Sequence, residues 1–390
     1  MKLQINKGEF LKSWLIAERN TSPKSTISSL TGVFVRTSEG TDSITLEATD
    51  LKTSLKCIST GVKVEQEGET ILPVRLVGEL FKKAPTNIFT LLIDEGKGTI
   101  LSGRNRYRFT TYPTKEFPQL PVSDGASHFC AIPAEEILRT LNEGTVACTA
   151  TEEFPKYFGS VFFQLLDGEM RIVSTDGRRL SLSKCHPPQH GPDYEFLLPI
   201  AGVKELQRLL TSLDSQTSIS VSVENTLAFF QMGSIELSVR RIDTTFPNYE
   251  AILSSQTTTT VEINRQELIA ALERVDVIVR DSGRLVVMRL SPKGDLMLRG
   301  RAPETGAAEE ILDASIDGES MTTAFNVSYL MDGLKAVYGD RVQMNFNGPE
   351  GQMTILRPGG TDFLYMVMPV KGAGQDSDDY DLNGEEEAVE

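Results

Sequence analysis

Long apolar runs, histidine and cysteine are all scarce in this sequence, and each shortage closes off a class of protein. The longest apolar stretches, such as YMVMPV at 365–370, fall far short of the roughly 20 residues of a spanning helix, so no transmembrane helix is expected. The opening MKLQINKGEF has neither the apolar segment nor the small-residue cleavage site of a signal peptide. Cys57, Cys130, Cys148 and Cys185 show no paired spacing, which points to reduced thiols in the cytoplasm.

Signatures of catalysis are equally thin. There is no G-x-x-x-x-G-K-S/T phosphate loop, no G-x-G-x-x-G after a strand, no C-x-x-C and no H-E-x-x-H. CHPPQH at 185–190 places Cys185, His186 and His190 at a spacing that could bind a metal, but its two prolines between strands favour a loop. Without a nucleophile and base, a metal set or a phosphate cradle, no enzyme, metal or cofactor is expected.

At 390 residues the chain exceeds what one hydrophobic core usually serves, so two or three domains are expected. A net charge of −15 argues against a wholly basic nucleic-acid binder, but the charge is uneven. Residues 373–390, AGQDSDDYDLNGEEEAVE, hold four Asp and four Glu and no base; without them 46 acids face 39 bases, a net of −7. Such a run buries too little apolar surface to offset chain entropy, so an acidic disordered tail, 372–390, is expected.

The rest of the sequence repeats itself. INKGEFLKSWL at 5–15, IPAEEILRTLN at 132–142 and INRQELIAALE at 263–273 each open with Ile and continue at helical spacing. Asn6 and Asn264 suit N-caps, Glu9 and Glu267 could close capping boxes, and Pro133 fits a first turn. A second series starts at Leu72, Leu198 and Phe325, predicting a second helix per unit. Between helices run short, alternating, β-branched segments such as GVFVRT, SITLEAT and SLKCIST, with turn pairs such as Asp167-Gly168. Each unit therefore reads helix, strands, helix, strands, an α+β plan in which two helices cover one face of antiparallel sheet. Asp50 and Asp176, in ATDLKTSL and STDGRRLSL, lie one repeat apart, which favours a turn needed by the fold over a catalytic carboxylate.

EATDLKTSL, STDGRRLSL, FPNYEAIL, FNVSYLMDGLKAV and YMVMPVK, in that order over residues 1–371, resemble the bacterial DNA polymerase III beta subunits, the replication sliding clamps. The resemblance implies three tandem DNA-clamp domains, at 1–122, 128–245 and 246–371, and a head-to-tail homodimer closed into a ring around duplex DNA. Ring size supports this independently. Helices pack about 8–10 Å apart, so six would enclose only about 18 Å, less than a duplex, whereas twelve leave roughly 35 Å. The seam implied by the family joins Tyr107 and Phe109 of one subunit to Val277 and Ile278 of the other. Sequence-blind phosphate contacts are expected from Lys7, Lys12, Arg75, Lys82, Lys83, Arg139, Lys204, Arg208, Arg265, Arg274 and Lys335 on the helices. Lys24 joins them because it matches a DNA-contacting family position.

The resemblance also implies an apolar cleft for a short peptide, typically Gln followed by Leu and Phe, carried by the polymerase III catalytic subunit, the clamp loader, other polymerases and repair proteins. Its residues here would be Phe158, Thr175, Gly177, Arg178, Arg179 and Leu180, then Pro247, Ala251 and Ile252, then Tyr329, Met366, Val367, Met368, Pro369 and Val370. Ala251 stands where some relatives have Arg, Ser254 replaces a usual Pro, and the acidic tail runs past the usual end of the family. That tail is expected to screen the cleft and repel DNA. The rival readings are a protein-binding repeat scaffold that never encircles DNA, and a hydrolase using Asp50 or Asp176.

Overall fold

The computed structural model describes residues 1–37, 40–150, 154–253, 256–292 and 294–372; the acidic segment and Ser254 lie outside the described residues. Six helices match the two repeated series: α1 (Lys7–Arg19), α2 (Glu79–Lys83, entered through a π-turn over Val74–Gly78), α3 (Ala134–Gly144), α4 (Ile200–Thr211), α5 (Arg265–Val279) and α6 (Val327–Ala336). None of the described helices is long and apolar enough to cross a membrane.

Asparagine caps three of these helices. Asn6 Oδ1 accepts from Gly8 N, Asn264 Oδ1 from Gln266 N and Glu267 N, and Asn326 Oδ1 from Ser328 N and Tyr329 N. The capping box expected at α1 does not form: Asn6 N–H already donates to Gly61 O at 2.8 Å, and Glu9 turns to Lys12 instead.

The chain forms two compact units, and the division does not follow the threefold repeat. The first comprises residues 1–137, 187–194 and 201–243. Its nine-stranded antiparallel sheet runs in the order 189–190, 127–133, 218–223, 227–232, 235–240, 53–59, 44–49, 32–37, 69–73. Strand 235–240 of the middle repeat hydrogen-bonds to 53–59 of the first, Leu237 opposite Leu55. A five-stranded sheet, 62–66, 2–6, 88–94, 97–102, 105–110, ends on strand Asn105–Thr110. Trp14 and Phe10 of α1 meet Phe81 of α2 edge-on, with centroids 5.0 and 5.2 Å apart, and Phe81 stacks on Phe89. Each buried aromatic contributes about 1.5–3 kcal/mol, so helices too short to persist alone are held by this cluster.

The second unit comprises 138–186, 195–200 and the chain from Thr244. Its nine-stranded sheet, 194–199, 160–166, 169–175, 179–185, 363–367, 353–356, 341–346, 259–264, 315–318, again joins two repeats, through Arg179–Cys185 against Phe363–Val367. A four-stranded sheet, 306–313, 295–302, 285–290, 321–326, ends on strand Gly306–Asp313. Leu268, Leu272 and Val275 of α5 and Leu330 and Leu334 of α6 bury their apolar faces against these sheets.

The hairpin at Asp167-Gly168 forms as expected. Both residues adopt positive φ, +52° and +76°, the twist-matched geometry of a two-residue turn between Leu166 and its partner Glu169.

Candidate functional site

The two threonine-aspartate phrases build the same turn. Asp50 Oδ1 accepts from Lys52 N (2.9 Å) and Thr53 N (2.7 Å); Asp176 Oδ1 accepts from Arg178 N (2.9 Å) and Arg179 N (3.1 Å). The threonine hydroxyls match too, with Thr49 donating to Thr53 O and Thr175 to Arg179 O. The residue after each Asp is left-handed, Leu51 at φ +72° and Gly177 at +81°. Both carboxylates are thus engaged by backbone amides, an Asx-type turn.

The second copy carries an addition. Where the first has Thr53, the second has Arg179, whose guanidinium donates to Asp176 (2.9 Å), Asp332 (2.6 Å) and Tyr365 Oη (3.2 Å). Its Cζ lies over the Tyr329 ring, and Tyr365 Oη in turn donates to Tyr329 O at 2.8 Å. Burial alone would lower the Arg179 pKa, but Tyr365, Asp332 and Asp176 hold it above the ordinary value, so the cation persists.

The residues expected to form a cleft all belong to the second unit, and most of them meet. A Cβ on Gly177 would sit 2.9 Å from Phe158 Cζ, so a bare backbone lets the Phe158 ring close on the turn. Met368 N–H donates to Arg178 O (2.9 Å), Leu180 sits opposite Met366, Arg179 opposite Val367, and Val370 N–H donates to Ala324 O (2.8 Å). Thr175, Leu180, Met366 and Val367 are buried, Tyr329, Pro247 and Pro369 half-buried, and Arg178, Ala251, Ile252, Met368 and Val370 exposed. The link bearing Pro247, Ala251 and Ile252 is anchored by Phe246, stacked on Phe162 at 4.7 Å, and by Tyr249 Oη, which donates to Gln164.

Sequence reasoning passed over Asp332, Tyr365 and Phe246, although each lies inside a motif it quoted. It also passed over Phe154, which stands 93% exposed two residues before the Lys156–Gly159 turn that carries Phe158. Of the CHPPQH residues, Cys185 is buried at a strand end, whereas His186 is exposed beside Glu169.

The proposed DNA-facing cations fall into three groups. Lys24, Arg75 and Lys204 are exposed and have no ion-pair partner among the described residues. Most others are neutralised locally: Lys12 by Glu9, Lys82 by Glu18 and Glu79, Lys83 by Glu79, Arg208 by Glu205, Arg274 by Glu310 and Lys335 by Glu273. Lys7 donates to Ala84 O, and Arg265 to Gly339 O and Leu334 O.

Arg139 is the most heavily engaged of the cations expected to face DNA. Its Nη1 donates to the fully buried Glu143 (2.8 Å) and to Asp362 (3.3 Å); Arg357 binds the same two carboxylates, closing a ring of two cations and two anions. Ser183 Oγ donates to Glu143 as well, at 2.5 Å. A guanidinium satisfied in this way ties the middle repeat to the third.

Of the residues expected at the seam, Phe109 is the most buried. It is 7% exposed, its ring occupying the space where Gly98 would carry a Cβ, so it packs within its own sheet. Tyr107 and Ile278 are half-buried, and Val277 is 54% exposed. The edge strand 306–313, bearing Ile311 at 60% exposure, had no sequence forecast; its Gly-Ala-Ala start and clustered acids hide its alternation.

Family models of the DNA polymerase III beta subunit match along the chain, the N-terminal domain at residues 1–121, the central domain at 131–248 and the C-terminal domain at 250–371. The beta sliding clamp of Synechocystis sp. is 30% identical over 397 residues, spanning 95% of this chain and 99% of that protein. That of Bacillus subtilis is 24% identical over 383 residues, spanning 95% of this chain and all of that protein. The crystal structure of the DNA polymerase III subunit beta from Pseudomonas aeruginosa superposes with a TM-score of 0.88 at 23% identity, covering 95% of this chain and 100% of that one. The sliding clamp of that organism bound to griselimycin superposes at 0.89, also at 23% identity, covering 95% of this chain and 99% of that one. With all three domain models in order and a 30% identical relative matched end to end, this chain belongs to the DNA polymerase III beta subunit family, the beta sliding clamps.

Proposed function

We propose that two copies of this chain close head to tail into a ring around duplex DNA and hold the replicative polymerase there. As a member of its family the chain is a DNA sliding clamp, a processivity factor and not an enzyme. Its three domains would span 1–122, 128–245 and 246–371, acting in the cytoplasm. Partners would be double-stranded DNA, the polymerase III catalytic subunit, the clamp loader, and other polymerases and repair proteins, the proteins inserting peptides at the Phe158–Gly177–Met368 cleft.

The observation that carries the ring is a pair of sheet edges. Strand 105–110 ends a sheet in the first repeat and 306–313 ends one in the third, each with a single hydrogen-bonded neighbour among the described residues. Exposed Arg106 and Arg108 give the first edge positive charge; on the second, Glu309 and Glu310 are paired with Arg299 and Arg274, and exposed Asp313 is the acid without an ion-pair partner among the described residues. Head-to-tail pairing would satisfy both edges and match the charges, with Tyr107, Val277 and Ile278 flanking the seam. The exposed Lys24, Arg75 and Lys204, beside many internally paired cations, suit weak, exchangeable phosphate contact.

The test is retention on DNA. The protein is loaded onto nicked circular plasmid with cell extract and ATP, and half the sample is then linearised. Loss from the linear DNA alone supports the ring; equal retention, or a protein that stays monomeric, favours a protein-binding scaffold.

A further inference from the structure

We propose that residues 373–390 of this chain dock on the cationic rim of the cleft and compete there with partner peptides; this rests on the cleft reading above. Lys156, Arg178 and Lys371 are exposed and lack an ion-pair partner among the described residues. They sit on the segments that frame the cleft. Lys156 lies two residues before Phe158, whose ring meets Gly177; Arg178 O accepts Met368 N–H; Lys371 follows three residues later. Among the described residues, the acids of this region are already engaged, Asp176 and Asp332 by Arg179 and Glu250 by Arg171. Among the described residues the rim therefore offers three free cations on a chain whose net charge is −15.

The complementary ligand is an acidic stretch with a few apolar anchors. Residues 373–390 offer eight acids and no base, with Tyr380 and Leu382 set among the aspartates. They follow directly from Gly372, two residues past Val370. Eight residues reach at most about 26–29 Å, ample for Tyr380 to return to a rim starting at Met368. A short tether gives an effective concentration on the order of millimolar, so even weak contacts compete with a free peptide. Because the attraction is between exposed charges, salt should abolish it.

The test compares the full chain with one ending at Gly372, using anisotropy of a labelled, otherwise uncharged peptide carrying Gln followed by Leu and Phe. Removal of 373–390 should tighten binding about 3–10-fold at low salt, with the difference gone at about 0.5 M. Lys156→Glu in the full chain should tighten binding likewise, as should Tyr380→Ala with Leu382→Ala. Equal affinity of full and shortened chains at low salt overturns the proposal, whereas no binding to either overturns the cleft reading instead. Carbodiimide crosslinking of mixed light and heavy chains locates the contact. Links from the segment to Lys156 of the same chain support the proposal; links to a second copy, or to Lys24 and Lys204, overturn it.

Discussion

The Arg179 guanidinium lies 4.4 Å from the centre of the Tyr329 ring while donating to Asp332, so one side chain bolts the middle repeat to the third. Arg179→Lys keeps the charge but loses the planar stack and the fork of donors. We expect a loss of about 1–3 kcal/mol in stability and roughly tenfold weaker binding of the peptide described above. Urea titration and anisotropy measure the two effects; unchanged peptide affinity would show that this pair does not shape the cleft.

The paired turns predict a graded response. Asp50→Ala leaves two amides to water and should cost about 0.5–1.5 kcal/mol. Asp176→Ala also removes a carboxylate from Arg179 and should cost more, about 1–3 kcal/mol. Urea unfolding of the two variants decides the order; a larger loss at Asp50 would contradict it.

Charge reversal tests the seam. Arg106→Glu with Arg108→Glu sets like charge against Asp313 of the facing edge, where Glu309 and Glu310 are held by Arg299 and Arg274, so dimers should weaken at least tenfold, about 1.4 kcal/mol. Sedimentation equilibrium should show monomer, with part of the loss recovered at high salt. Phe109→Ala, by contrast, should destabilise the fold by about 3–5 kcal/mol, because that ring is buried within its own sheet.

The free cations should carry the salt dependence of DNA binding. Removing Lys24, Arg75 and Lys204 together should flatten the log–log salt slope by up to about 3 per subunit of the ring, each phosphate contact contributing about 0.9. Arg139→Ala should leave that slope unchanged and lower thermal stability, since it opens the ring with Glu143, Arg357 and Asp362. A flattened slope in Arg139→Ala would restore it to the DNA-facing set.

Burial pushes the Cys57 thiol up to about 12. An unfolded thiol titrates near 8.5, so between about pH 9 and 12 the unfolded state releases a proton that the native state keeps. Stability is therefore whole below about pH 8.5 and falls as pH rises, by up to about 1.4 kcal/mol per unit from this group. Urea midpoints at pH 8 and pH 10 should diverge less in Cys57→Ala than in the parent. Iodoacetamide at pH 8 should leave Cys57 of the native protein unmodified.

Much of the architecture was legible because its causes are local. Helix periodicity after Asn6, Asn264 and Phe325, and alternation in GVFVRT or SITLEAT, follow from the 3.6- and 2-residue periods of side-chain direction. Repetition made Asp50 and Asp176 mutually informative, and their shared turn depends only on residues within three positions. The candidate cleft residues were named through motif likeness, and among them the structure brings Phe158 to Gly177, Arg178 to Met368 and Arg179 to Tyr329.

What the linear chain determined by itself is periodicity, capping and the count of repeats, since these rest on neighbours a few residues away. Only the tertiary structure decided which charges are free and which edges are open. Arg139 and Lys204 look alike on their helices, yet Glu143, Asp362 and Lys184 O claim the first and no acid among the described residues pairs with the second. Tyr107 and Phe109 alternate on one strand, but the space beside Gly98 draws only Phe109 inward. The open edge at 306–313 exists because its one partner among the described residues is 295–302. Desolvation and pairing are set by atoms distant in sequence, so the same residue type becomes a structural lock in one place and an available contact in another.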